Sequence, residues 1–161
     1  MNIVYLQLGS NLGDRVKFLS KARSGIEMRI GDITDRSKIY ESSPWRVDSQ
    51  SNYLNQVLKL NTQFGANNVL KRILQIENNL GRRRFEKWGD RLIDIDIIFY
   101  NNSIIETCGL SVPHKHMHER RFVLTPLMDI ADDYIHPKYK MTVAELLTEC
   151  HDSENVDEYV I

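Results

Sequence analysis

Asp94 and Asp96 stand two positions apart in LIDIDIIFY, residues 92–100, among four isoleucines and one phenylalanine. Apolar β-branched residues alternating with another type read as a strand, in which positions two apart point the same way. Ile93, Ile95, Ile97 and Phe99 are therefore expected to face a core. The two aspartates should share the opposite face, roughly 7 Å apart. Like charges at that spacing repel unless a cation lies between them. A hard divalent ion such as Mg²⁺ meets the need, because it takes one or two carboxylates and draws its other oxygens from water and phosphate. Just upstream, GRRRFEKWGDR supplies Arg82, Arg83, Arg84, Lys87 and Arg91 between Gly81 and the following strand. Acids that seat a metal, beside cations that neutralise phosphate oxygens, are what metal-dependent phosphoryl transfer requires. Each feature alone has a plainer reading: a solvated strand face, and a solvated charge run.

Two further groupings could serve a second substrate. Tyr53 and Asn55 lie two apart in the alternating segment YLNQVLKLNT, residues 53–62. A ring to stack on and an amide with both donor and acceptor suit a flat, hydrogen-bonding heterocycle. VPHKHMHERRF places His114, His116 and His118 near Arg120, Arg121 and Phe122. Alternate histidines could bind a transition metal, but no cysteine or acid cluster completes a tetrahedral set, so an anion-contacting loop is the simpler reading. Phe122 offers a second stacking surface.

The elements that must carry these residues follow from periodicity. Residues 3–8 read as a buried strand ended by GSNLGD. Residues 14–30 read as a helix, with Ser10 or Asn11 as its cap, because Val16, Leu19, Ala22, Ile26 and Ile30 recur at steps of three and four. Residues 33–41 and 53–62 alternate as strands, the second with Leu54, Leu58 and Leu60 on one face and Tyr53, Asn55 and Val57 on the other. A second amphipathic helix runs from Ala66 to Leu80, and residues 92–100 close the pattern. The expected fold is α+β: a ferredoxin-like βαββαβ core, both helices on one face of an antiparallel sheet, with a C-terminal extension. That extension is read as a short helix at 120–129 and another after the capping box TVAE at 142–145. With 161 residues, 42% of them hydrophobic, the whole of 1–161 is expected to form one domain. A formal net charge of −1 argues against a general polyanion-binding surface. No apolar run reaches the roughly 20 residues of a membrane span. With no basic-apolar leader, and with Cys108 and Cys150 outside any metal spacing, a cytoplasmic protein with free thiols is expected.

Taken together, YLQLGSNLGDR, YESSPW, NYLNQV, IENNLGRRR, KWGDRLIDIDIIFY and VPHKHMHERRFVLTPLMDIA resemble 6-hydroxymethyl-7,8-dihydropterin pyrophosphokinase, a folate-pathway family. The resemblance covers most of the chain. It implies transfer of a diphosphate from ATP to the pterin hydroxymethyl group, with release of AMP. It assigns two Mg²⁺ ions to Asp94 and Asp96. It implies a pterin sandwiched by Tyr53 and Phe122 and hydrogen-bonded by Asn55, with polar contacts near Ser42 and Ser43 and an apolar wall at Trp45. Arg82, Arg84, Lys87, Arg91, His114 and Arg120 would meet the triphosphate, with Arg82 and Arg91 in the catalytic set. Glu77 would reach the ribose, Ile97, Leu110 and Ser111 the adenosine, and Trp88 would ride on a closing loop. The chain departs from the pattern at Lys87, Asp90, Gly109 and Lys115. A chain of this length is expected to act as a monomer on two small molecules, without nucleic acid or membrane. Two other classes fit the residues less well: a ferredoxin-like module stacking single-stranded RNA on Tyr53 and Phe122, and a metal-binding regulatory domain without turnover.

Overall fold

The structure, a computed structural model, describes residues 1–44, 51–81 and 92–161. Strand β1 (Asn2–Ser10) leads into helix α1 (Arg15–Arg29), then strands β2 (Asp32–Arg36), β3 (Tyr40–Ser42) and β4 (Tyr53–Thr62), helix α2 (Ala66–Asn79) and strand β5 (Asp94–Tyr100). Short strands β6 (Ile105–Glu106) and β7 (Ser111–Val112) form a small separate ladder. Helices α3 (Arg121–Ala131) and α4 (Val143–Glu149) and a last strand β8 (Val156–Glu158) complete the order. The main sheet runs β5-β1-β4-β3-β8, with β2 also on β4, and each pairing is antiparallel. This is the expected α+β, ferredoxin-like arrangement. No helix among the described residues is long and apolar enough to cross a membrane.

Two apolar layers sandwich the sheet. On one face Val4, Leu6, Leu8, Leu54, Leu58 and Leu60 pack against Leu19, Ala22 and Ile26 of α1 and Val69, Ile73 and Ile76 of α2. These are the inward positions of the two sequence periodicities. On the other face Tyr5, Val57, Ile98 and Phe99 meet Val123, Leu124 and Leu127 of α3 and Val143 and Leu146 of α4. The C-terminal helices thus cover one end of the second face and leave the other end open.

Several local expectations are corrected. The cap of α1 is Asp14, whose Oδ1 accepts from Lys17 N at 3.1 Å, rather than Ser10 or Asn11. Ser10 and Asn11 are buried at the end of β1. The segment 33–41 is two strands, not one. At Ser37 the side-chain Oγ accepts from Val57 N at 2.9 Å, while Ser37 N donates to Val57 O. A hydroxyl has replaced a backbone carbonyl in the ladder, and the strand breaks there. Phe99 does not face α1 and α2 with Ile93, Ile95 and Ile97. Leu6 pairs with Ile97 but Tyr5 pairs with Phe99, so Ile98 is an inserted residue that reverses the alternation.

The turn between α1 and β2 depends on Gly31. A Cβ there would lie 2.0 Å from Asn61 O, in the backbone of β4. Gly31→Ala should therefore cost about 3 kcal/mol, an overpacking penalty that backbone movement only partly relieves. Urea unfolding measures it, and a change below about 0.5 kcal/mol would show that the helix–strand junction yields easily.

Candidate active site

The open end of the second sheet face collects the residues of interest. Across β5, β1 and β4 the register places Asp94 opposite Gly9 and Gly9 opposite Asn55. One step along, Asp96 lies opposite Gln7 and Gln7 opposite Val57. On β3, Tyr40 pairs with Asn55 and Ser42 with Tyr53. Partners across a ladder point to the same side. Asp94, Asp96, Gln7, Tyr53, Asn55 and Ser42 therefore share one surface. Adjacent strands are about 4.8 Å apart, which puts the acid pair roughly 10 Å from Asn55. Between them Gly9 has no side chain. A Cβ added there would already touch Tyr53 Cδ1 at 3.6 Å and Asn55 Oδ1 at 3.9 Å. The glycine leaves a hollow between the acids and the ring–amide pair.

The amide of Asn55 is fixed. It is 1% exposed, and its Nδ2 donates to Ser42 Oγ at 2.8 Å and to Tyr40 O at 3.2 Å. Its Oδ1 lies 3.4 Å from Gln7 Nε2. Gln7 also approaches Phe122 O at 3.4 Å. That carbonyl is available because residue 126, four positions on in α3, is proline and has no N–H to donate. Phe122 and Arg120 begin α3 at the edge of the hollow, with the Arg120 guanidinium carbon 5.6 Å from the Phe122 ring centre. The start of α3 is held from outside. Asp152 Oδ2 accepts from Arg121 N at 3.0 Å, and Asp152 O from Arg121 Nε at 3.1 Å. Ser43 Oγ donates to Glu154, and β8 pairs with β3.

His114 stands against the acid pair's strand, its N–H donating to Ile98 O at 3.0 Å. Burial first, then the positive charge of Arg120, push its pKa down to about 4, against a smaller upward pull from Asp94. The ring is neutral at pH 7. Its Nδ1 accepts from His116 N at 3.1 Å, so the ring proton resides on Nε2, a donor suited to a phosphate oxygen. The alternate histidines do not converge. His116 Nδ1 is 3.1 Å from Glu119, and His118 packs on the Tyr139 ring at 4.7 Å. Among the described residues no group of three or more His, Cys, Asp and Glu could hold a metal. The half-buried pair Asp94 and Asp96 remains, an all-oxygen set that suits Mg²⁺ completed by phosphate and water rather than a transition metal in a protein cage.

The model of one protein family, 7,8-dihydro-6-hydroxymethylpterin-pyrophosphokinase (HPPK), matches residues 5–132 of this chain. The chain belongs to this family. It is 40% identical over 149 residues to 2-amino-4-hydroxy-6-hydroxymethyldihydropteridine pyrophosphokinase of Aquifex aeolicus, covering 92% of each chain. It is 42% identical over 130 residues to the same enzyme of Bacillus subtilis, covering 80% of this chain and 78% of that one. Among solved structures, Plasmodium falciparum HPPK-DHPS with pterin and p-hydroxybenzoate superposes with a TM-score of 0.75 at 19% identity, over 92% of this chain and 41% of that longer one. Membership sets aside the RNA-binding and non-catalytic readings. The structure supplies a physical reason as well. The sheet face on which such a module stacks bases is covered at one end by α3 and α4, and at the other carries Asp94 and Asp96.

Other residues named from sequence lie elsewhere in this HPPK. Glu77 is fully buried, and its Oε2 accepts from Ile95 N at 2.9 Å, satisfying an amide on the outer edge of β5. The carboxylate serves the scaffold in this arrangement. Ile97 and Leu110 belong to the α1–α2 layer, on the face opposite the acids, and Ser111 Oγ lies 3.3 Å from Glu106. Trp45, Arg82, Arg84, Lys87, Trp88 and Arg91 fall outside the described residues. Sequence reading missed Gln7, Gly9 and Asp152. Gln7 carried a signal, as the one amide in the apolar run IVYLQL.

The neutral His114 gives a pH prediction. A histidine's unfolded pKa is about 6.5, and the folded value is about 4. The unfolded chain then binds more protons between those values, so this contribution is complete above pH 6.5 and is lost as pH falls toward 4. The thermal midpoint of the free protein should drop across that window, with a shallower drop in His114→Gln. NMR titration of the His114 ring should find it neutral at pH 6, and a midpoint at or above 6.5 would contradict the buried, cation-flanked setting. Bound nucleotide triphosphate should raise that midpoint.

Proposed function

We propose that this HPPK transfers diphosphate from ATP to the hydroxymethyl group of 6-hydroxymethyl-7,8-dihydropterin, giving AMP and the pterin diphosphate, a step of folate biosynthesis. One observation carries the reading beyond family membership. The acid pair and the ring–amide pair share one sheet face, about two strand spacings apart, with Gly9 leaving room between them. A heterocycle on Tyr53 and Asn55 would put its substituent over the hollow, toward whatever Asp94 and Asp96 hold.

Each group then has a task its position permits. Tyr53 and Phe122 would sandwich the pterin. Asn55, locked by Ser42 and Tyr40, would present its remaining lone pair to a ring-edge donor. Ser43 and Trp45 would border the same pocket. Asp94 and Asp96 would hold Mg²⁺, two ions on the family pattern, and the bound metal would neutralise phosphate oxygens on both sides of the displacement at the β-phosphorus. His114 would donate its Nε2–H to the triphosphate, together with Arg120 and with Arg82, Arg84, Lys87 and Arg91. Ile97, Leu110 and Ser111 would meet the adenosine from the outer edge of β5, and Trp88 would lie over the bound pair. The ribose role of Glu77 rests on the family resemblance alone. No described side chain is placed to be a strong general base: His114 uses Nδ1 to accept from the backbone and carries a proton on Nε2. Positioning and charge neutralisation would supply most of the acceleration. We take the working unit to be a single cytoplasmic chain with residues 1–161 as one domain, on the composition and length of the sequence.

Mixing the protein with ATP, Mg²⁺ and the reduced pterin alcohol should yield AMP rather than ADP, resolved by ion-exchange chromatography. Asp94→Ala and Asp96→Ala should each lower kcat/KM several hundredfold or more, about 3–4 kcal/mol of transition-state stabilisation. Near-normal turnover in both would remove the metal assignment. ADP as product would remove the reaction.

A further inference from the structure

We propose that Gln7 is a specificity-determining residue of the pterin subsite. In this proposal it fixes the amide of Asn55 and offers its own Oε1 to an N–H donor of the bicyclic ligand. The inference rests on the reading above that Tyr53, Asn55 and Phe122 bind the pterin.

Gln7 is 4% exposed, between Leu6 and Leu8 along β1 and between Asp96 and Val57 across the ladder. Burying a primary amide is costly unless both its ends find partners. Its nitrogen lies 3.4 Å from each of three acceptors: Asn55 Oδ1, Phe122 O and Leu8 O. Rotating the amide by half a turn would set an oxygen against three oxygens, so the orientation is dictated. Phe122 O is open to Gln7 because Pro126 has no N–H for it. The nitrogen thus bridges the two residues expected to grip the heterocycle, one on β4 and one on α3.

The other end is unpaired. Gln7 Oε1 is buried and has no hydrogen-bond partner among the described residues. It shares a carbon with the nitrogen, so it lies beside the gap between Asn55 and the start of α3 that the nitrogen spans. A phosphate cannot satisfy it, since phosphate offers acceptors. A reduced pterin can, through its exocyclic amino group and ring N–H groups. A buried acceptor that is satisfied only by a donor-bearing ligand discriminates strongly against analogues without that donor. Gln7 also fixes which end of Asn55 faces the ligand, because its N–H marks Oδ1 as the acceptor.

Gln7→Met keeps the volume and removes both hydrogen-bonding ends. Titration of the full chain with 6-hydroxymethyl-7,8-dihydropterin, at saturating Mg²⁺ and non-hydrolysable ATP analogue, should show a pterin Kd raised roughly tenfold. KM for ATP should stay within roughly twofold. The thermal midpoint should fall, because Asn55 Oδ1 and Phe122 O lose the N–H they share, so the pterin Kd carries the test. A merely structural glutamine predicts the same lower midpoint with an unchanged pterin Kd, and that result would overturn the proposal. Should Gln7→Met fail to fold, the unmodified chain decides. The assigned side-chain amide resonances of Gln7, which lies opposite Asp96, should shift further on adding pterin than with Mg²⁺ or nucleotide alone. No further shift on adding pterin to the Mg²⁺-loaded chain would make Gln7 a neighbour of the metal site only and overturn the inference. If the unmodified chain does not bind the pterin at all, the functional reading fails first, whatever the variants do.

Discussion

The bulge at Ile98 lets one edge strand serve two layers with opposite needs. Before it, the face of β5 turned away from α1 and α2 carries Asp94 and Asp96, which must stay open to water and to any metal. After it, the same face carries Ile98 and Phe99, buried beneath α3 and α4. The reversal also returns Tyr100 to the first layer, where its hydroxyl donates to Phe64 O at 2.8 Å. Helix α3 therefore starts where the apolar half ends, and its cap residue Arg120 and first-turn residue Phe122 lie beside the polar half. Without the inserted residue, the covering layer and the acid pair would compete for one surface.

Strand and helix periodicity carried most of the architecture into the sequence. The acid pair was legible because a period of two leaves no other face for it once the isoleucines are inward. The faces of β4 were legible for the same reason, with Leu54, Leu58 and Leu60 on one side and Asn55 and Val57 on the other. The failures share a cause: they occur where one residue breaks the period. Phe99 lies beyond an inserted residue, and a bulge leaves no pattern of its own. Ser37 ends a strand by lending its hydroxyl to the ladder, whereas serine elsewhere in a strand does not. Glu77 was given to the ribose by the family resemblance alone, and what its position adds is that its carboxylate accepts from Ile95 N–H. Local sequence records the presence of a carboxylate, not the edge amide lying across from it. Gln7 became meaningful only when the ladder set it between Asp96 and Val57 and beside Asn55.

The electrostatics of the site are divided between fixed and incoming charge. Asp94 and Asp96 place negative charge on the β5 side of the hollow, and Arg120 supplies positive charge beside His114. Keeping His114 neutral avoids a second buried cation next to that arginine in the free protein. It still leaves an Nε2–H on the ring, and under the proposed function a phosphate arriving there would favour protonation by its own charge. A site that already held its full complement of positive charge would bear the repulsion among those cations before substrate arrived.

The tail beyond the family match, residues 133–161, bears on the same site through scaffolding. The first peptide N–H groups of α3 have no partner within the helix, and Arg120 at its cap position provides no side-chain bond. Asp152 supplies one from the tail, at the end of the helix where a carboxylate is electrostatically favoured. Two residues later Glu154 takes the hydroxyl of Ser43, and β8 then extends the sheet beside β3. The tail thus ties α3, which carries Phe122, to β3, which carries Ser42. Those two elements bound the Tyr53–Asn55 side of the hollow, and the described contacts that brace α3 and its neighbours against the β3 side beyond this tail run through Asp129 to Tyr40 and Lys38. The separation of the Tyr53 and Phe122 rings is accordingly set in part by residues that bear no motif, which is why motif reading alone names the residues around this hollow but not its width.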